Sequence, residues 1–216
     1  MSTEQTELSC SNCTVQACRK ENSPGSPAFC PTKTRKRALN SALELYNRDG
    51  EIRKIALAAT RTTTESGRMK WTRVEDTIDF AHRMGYQKIG IATCIGLITE
   101  SRILTKILEV KGFKVISVCC KCGGIPKEKI GISDSEKGKP GNFEAICNPV
   151  AQAKMLNKDK SELNILVGLC VGHDSLFLKH SKAPVTVLIA KDRITCHNPA
   201  AVLHGTSSYY KRLLSA

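Results

Sequence analysis

A chain of 216 residues with 41% hydrophobic and 25% charged residues has room for one substantial core and a small appendage, which excludes a disordered or fibrous polymer. The polar opening MSTEQTELSC and the lack of any apolar run of spanning length predict a cytoplasmic protein with no membrane association. The formal charge of +13 favours anionic partners, but with 5% aromatic residues a base-stacking platform is not favoured, so nucleic acid ranks below an incidental basic surface.

Residues 1–32 lack helical or strand periodicity yet hold Cys10, Cys13, Cys18 and Cys30 among Pro24, Gly25, Pro27 and Pro31, the composition of a loop tied together by something other than a core. From Thr34 to Arg48, Ala38, Leu39, Ala42, Leu43 and Leu45 recur at helical spacing until Asp49-Gly50 interrupts them. The basic run Lys33, Arg35, Lys36 and Arg37 at its start reads as a solvated face. A second helix is expected from Glu51 to about Glu65, and a third from the capping box Thr72-Arg73-Val74-Glu75 to Met84-Gly85.

After Gly85 the texture changes to short apolar runs. Lys88 to Thr93, Lys114 to Cys119, Asn164 to Leu169 and Val185 to Ala190 are each predicted as buried strands. Leu97 to Lys111 is helical in pattern with Gly112 as a left-handed cap, and helices should also start at Asn148-Pro149 and Asn198-Pro199. Strands alternating with helices predict an α/β fold, a Rossmann-like three-layer sandwich with a mostly parallel sheet, preceded by a cysteine-rich loop and helices. The expected organisation is a metal-binding segment over 1–32 and an α/β domain over 33–216 whose sheet begins near residue 86.

In a reducing compartment the odd count of 11 cysteines points to metal ligands, reactive thiols or buried small hydrophobes rather than disulfides. The first four follow C-x2-C-x4-C-x11-C-P, a spacing that can return four thiolates to one centre. A structural metal contributes on the order of 10 kcal/mol to such a segment. Four cysteines suit zinc and iron-sulfur clusters alike: the lone CxxC and the terminal Cys-Pro resemble ferredoxin motifs, and a structural zinc knuckle is the simpler alternative.

A second constellation emerges when the other cysteines are set on the predicted strands. Cys94 follows the first, Cys119 and Cys120 end the second and Cys170 ends the third, at the carboxyl edge where parallel sheets bind ligands. Cys147 precedes a helix start, where backbone N–H groups favour a thiolate. Burial alone accounts for one or two such cysteines but poorly for one in each of four loops. Cys119, Cys122 and Cys196 are the weaker candidates. Lys191-Asp192-Arg193 and Cys196-His197-Asn198-Pro199 should bring positive charge and an imidazole to the same rim. His173, after the third strand, fits a ligand, a proton donor or a helix-start residue pinned by Asp174. Gly123-Gly124 is a turn without the rest of a nucleotide fingerprint.

The runs VISVCCKCGGIPKEKIGI, CNPVAQAKMLN, GLCVGHDSLFLKHSKAPVTVLIAKDR and HNPAAVL, together with the N-terminal cysteines, resemble the bacterial and archaeal domain-of-unknown-function 1847 family, whose members are described as candidate metal-binding proteins. The resemblance covers nearly the whole chain. The positions it marks are Cys10, Cys13, Cys18, Cys30, Cys94, Cys120, Cys147, Cys170, His173, Asp174, Lys182 and His197, whereas Cys122 and Cys196 depart from the family's pattern.

The leading expectation is an iron-sulfur protein with one or two 4Fe-4S clusters, ligated by Cys10, Cys13, Cys18 and Cys30 and by Cys94, Cys120, Cys147 and Cys170. It would serve electron transfer, or desulfidase-like lyase chemistry in which His173, Lys182 and Lys191 position or protonate an unidentified small molecule. The alternative is a non-enzymatic module with zinc at the N-terminal site and a basic surface for RNA or a protein partner. A thiol redox protein using Cys119-Cys120 or Cys120-x-Cys122 ranks last, because adjacent cysteines form strained bridges.

Overall fold

The computed structural model describes residues 7–66 and 69–215. Two compact units meet in sequence between Arg61 and Thr62. In the first, turns of 3-10 helix at Cys10–Asn12 and Ala17–Arg19 precede a single helical turn, α1 (Pro31–Thr34), and then α2 (Lys36–Arg48) and α3 (Gly50–Ser66), whose last residues lie past the boundary. Pro31 takes the first helical position, where its missing N–H costs nothing. Arg35, at φ −129° and ψ 37°, breaks the helix that periodicity places continuously from Thr34. Asp49 restarts the chain as α3 by accepting from the N–H groups of Glu51 and Ile52, both at 2.9 Å. No residue of α2 is buried.

The second unit contains α4 (Arg73–Met84), β1 (Lys88–Thr93), α5 (Ile98–Val110), β2 (Lys114–Cys119), α6 (Pro149–Lys158), β3 (Leu163–Val167), α7 (His173–His180), β4 (Val185–Ile189) and the short α8 (Ala200–His204). The expected capping box at Thr72 forms, and Gly85 closes α4 in the left-handed conformation at φ 74°. The four strands form one wholly parallel sheet in the order β2-β1-β3-β4.

Alternation along the strands separates two apolar layers. Ile89, Ile91, Ile165 and Val167 pack with Ile78 and Ala81 of α4 and Leu104 and Leu108 of α5. Ala92 and Leu166 pack with Ala153 and Leu156 of α6 and Phe177 of α7. The result is the three-layer α/β sandwich expected from the pattern, with each fully buried Leu or Ile contributing roughly 1.5–3 kcal/mol. Leftward crossing from β1 to β2 uses the α5 face and rightward crossings use the α6 and α7 face, as crossovers of a single hand require.

Both later strands end earlier than their apolar runs suggest. Gly168 adopts φ 69° and turns the chain off β3, and a Cβ there would lie 2.1 Å from Leu97 Cδ1. A register shift at Leu166/Val167 opposite β4 accompanies this turn. Near the carboxyl terminus, Pro199 rather than Asn198 occupies the capping position of α8. Among the described residues, no helix is long and apolar enough to cross a membrane.

Candidate functional site

Chain direction reverses its lateral course between β1 and β3, since the connection after β1 leads to one side of the sheet and that after β3 to the other. Such a switch point opens a crevice at the carboxyl edge. Cys94 leaves β1 here with its N–H on the Val167 carbonyl at 3.0 Å, and Cys120 leaves β2 with its N–H on the Thr93 carbonyl at 2.8 Å. Cys147 is brought to the same place by the next residue, for Asn148 N–H donates to the Cys120 carbonyl at 2.7 Å. Gln152, fully buried in α6, spans the strand ends: its Nε2 donates to the carbonyls of Thr93 at 3.1 Å and Val118 at 2.7 Å. Its Oε1 is buried without a hydrogen-bond partner among the described residues.

These loops bring four thiols together on the α6 side, with Cys94 and Cys120 buried and Cys119 and Cys147 partly so. Burial pushes the Cys120 thiol up to about 12, and Cys147, Cys94 and Cys119 push it the same way, against the N–H of Ile95 donated to its Sγ at 3.3 Å. Burial and Cys119 likewise raise Cys122. A metal entering this group must therefore displace protons.

Cys170 is the exception among the expected edge ligands. It turns the chain into α7, accepting from the N–H groups of His173 at 2.9 Å and Asp174 at 3.1 Å, and its Sγ meets Arg193 Nη2 at 3.6 Å. His173 is the first residue of α7; the Asp174 carboxylate accepts from the Ser175 N–H at 2.7 Å and makes no bond to the imidazole. Lys191 lies on the same side of the edge as Cys94: a Cβ on Gly96 would stand 3.5 Å from Lys191 Nζ and 3.9 Å from Cys94 Sγ, though no hydrogen bond joins the two side chains. Lys182 is not brought to this edge. It precedes β4, with its N–H on Asn157 Oδ1 at 2.9 Å, and the length of the strand, at about 3.3 Å per residue, separates it from Lys191.

Sequence reasoning passed over one pair. Cys119 and Cys122 stand as C-x-x-C, and the hydrogen bond from Cys122 N–H to the Cys119 carbonyl at 3.1 Å closes a turn between them. The spacing itself was the available signal.

In the first unit, Cys10, Cys13, Cys18 and Cys30 all line one cavity of about 150 Å³, with Ala17, Phe29 and Pro31 in its walls. Gln16 N–H donates to Cys13 Sγ at 3.4 Å. The Thr32 hydroxyl and N–H favour the Cys30 thiolate and lower its pKa. Lys33 Nζ bonds the Ser26 carbonyl, closing the loop behind the cavity. At neither site are three or more His, Cys, Asp or Glu side chains of the described residues set at the spacing of metal ligands.

The family model for a protein of unknown function, DUF1847, matches residues 30–188, a span that holds Cys30 and every edge thiol discussed above but not Cys10, Cys13, Cys18 or His197. The chain is also 41% identical over 207 residues to the uncharacterized protein MJ0455 of Methanocaldococcus jannaschii, covering 96% of this chain and 98% of that protein. A family match over most of the chain and a full-length relative agree, and the chain belongs to the DUF1847 family.

Proposed function

We propose that this is an iron-sulfur protein with two centres: a closed one at Cys10, Cys13, Cys18 and Cys30, and a second at the sheet edge, built on Cys94, Cys120 and Cys147 and used for redox or sulfur chemistry. The observation that carries the reading is that all four N-terminal thiols line a single cavity. Little else holds that segment, in which Ala17, Ser26 and Cys30 are the only buried residues among those described, so binding and local folding would be linked. Four thiolates complete a ligand set, which suits structure or electron relay.

At the edge, three of the four expected ligands group while Cys170 stands with Arg193. A three-thiolate set leaves a metal position open to substrate, where a bound metal supplies Lewis acidity. In this reading Lys191, near Cys94, is the residue to hold or move a proton; His173, which follows Cys170 into α7, is the second candidate, and Lys182, before β4, takes no part.

Anaerobic purification with iron, sulfide and zinc analysis tests it. Two clusters per chain, one of them lost in a Cys94→Ser, Cys147→Ser double variant, is the expected result. A colourless protein with one zinc and no iron would sink the iron-sulfur reading and favour the non-enzymatic zinc module.

A further inference from the structure

A cavity of about 580 Å³ opens at the carboxyl ends of β1 and β4, bounded by apolar Leu97, Leu188 and Ile189 and by polar Glu100, Arg193 and His197. None of the grouped thiols lines it. Its two full charges are opposite in sign and do not meet. The Glu100 carboxylate has no hydrogen bond or ion pair among the described residues, and Arg193 reaches only Cys170 Sγ through Nη2.

The third polar group is held in a fixed state. His197 Nδ1 accepts from the Asp192 N–H at 3.1 Å, and the His197 N–H returns to the Asp192 carbonyl at 2.8 Å. With its Nδ1 lone pair engaged, the neutral ring carries its proton on Nε2, as a donor. The Asp192 carboxylate tightens the same loop by accepting from the N–H groups of Ile194 at 2.9 Å and Thr195 at 3.1 Å. Cys196 and His197 take successive left-handed conformations at φ 51° and φ 68°, a strain that persists only where the surroundings over-determine it.

A simple anion would be opposed by Glu100, and a simple cation by Arg193. A ligand carrying both charges satisfies both walls. We propose that this cavity binds an apolar α-amino acid as its zwitterion, the carboxylate on Arg193 and His197, the ammonium on Glu100, and the side chain against Leu97, Leu188 and Ile189.

Calorimetric titration of the full chain with L-norleucine, hexanoate and L-norleucinamide tests this. An α-amino acid also chelates metal through its amine and carboxylate, so the series is repeated on the Cys94→Ser, Cys147→Ser double variant, where binding in the cavity is expected to persist; loss of binding there would assign it to the edge centre and overturn the proposal. The free amino acid is expected to bind about tenfold or more tightly than either ligand lacking one charge. Glu100→Gln should erase the advantage over hexanoate, and Arg193→Met the advantage over the amide. Both positions are exposed, so the variants should melt like the parent; the ligand series on the unaltered chain stands without them. Absence of norleucine binding at millimolar concentration, equal binding of hexanoate, or unchanged binding in both variants would overturn the proposal.

Discussion

Asn148 holds Cys120 by a backbone hydrogen bond of 2.7 Å, while its side chain caps α6 by accepting from the Ala151 N–H at 3.0 Å. Asn148→Ala removes the cap and keeps the backbone bond. The expected loss is about 1 kcal/mol, or a fall of about 2–4 °C in melting temperature for a domain of this size. A thermal melt followed by circular dichroism checks it, and an unchanged midpoint would show that the cap contributes nothing to stability.

The N-terminal segment should depend on its thiols for order. Cys13→Ser is expected to lower metal content and to speed limited proteolysis between residues 7 and 35, while fragments from the sheet unit persist. Equal cleavage of variant and parent would disconnect metal from folding in this segment.

Acid should loosen the loop after β2 before it unfolds the sheet. Lys137, with only 5% of its side chain exposed, contacts Glu128, Asp134 at 2.8 Å and the Asn142 carbonyl at 2.9 Å. Its hydrogen bonds hold Asp134 and Glu128 below their ordinary values of 3.8 and 4.5, and Asp134 and then Glu128 raise Lys137 above 10.5. The carboxylates' contribution is complete above those ordinary values and is lost as pH falls through the lower folded ones. The lysine's contribution is complete below 10.5 and is lost as pH rises through its raised folded value. Amide protection factors in residues 127–144, taken against the intrinsic exchange rate at each pH, should fall at both extremes; a flat profile would contradict the assignment.

Gly90 has no space for a side chain. A Cβ there would lie 2.1 Å from Asn164 Oδ1 and 3.1 Å from Leu156 Cδ1, and Asn164 is itself held by the hydroxyls of Ser161 and Ser181, both at 2.8 Å. Gly90→Ala is expected to destabilise the protein by about 1–3 kcal/mol through overpacking. Denaturant titration reads this as a lower midpoint at unchanged slope.

Under mild oxidation the first bridge should join Cys119 to Cys122 rather than the adjacent Cys119 and Cys120. A four-residue turn holds its ends within about 7 Å, inside the span a disulfide accepts, whereas neighbours in sequence bridge only with strain. Diamide, an azo compound that takes up both thiol hydrogens as the S–S bond forms, is the oxidant, and peptide mapping reads the pairing. A Cys119 to Cys120 bridge appearing first would refute the expectation.

The strands were legible as short apolar runs, and Lys88 to Thr93 and Lys114 to Cys119 carry their own limits; only the central β1 and β3 are buried as expected, because β2 and β4 are the sheet's edges and stay partly exposed. The end of β3 was not, because the turn at Gly168 answers to Leu97, some seventy residues away in sequence. Cysteine positions after strands gave the shared edge. Which thiols would group depended on side-chain direction, and so Cys170 left the set for Arg193. Lys182 lies before β4, and in a parallel sheet that alone assigns it to the edge opposite the thiols.

The two amide bonds of Gln152 act as a gauge between the ends of β1 and β2. The separation of the loops bearing Cys94 and Cys120 is set by a side chain of fixed length, whatever lies between the sulfurs. Under the proposed function, the edge would be emptied and refilled without refolding, whereas the N-terminal loop would be rebuilt around its metal each time.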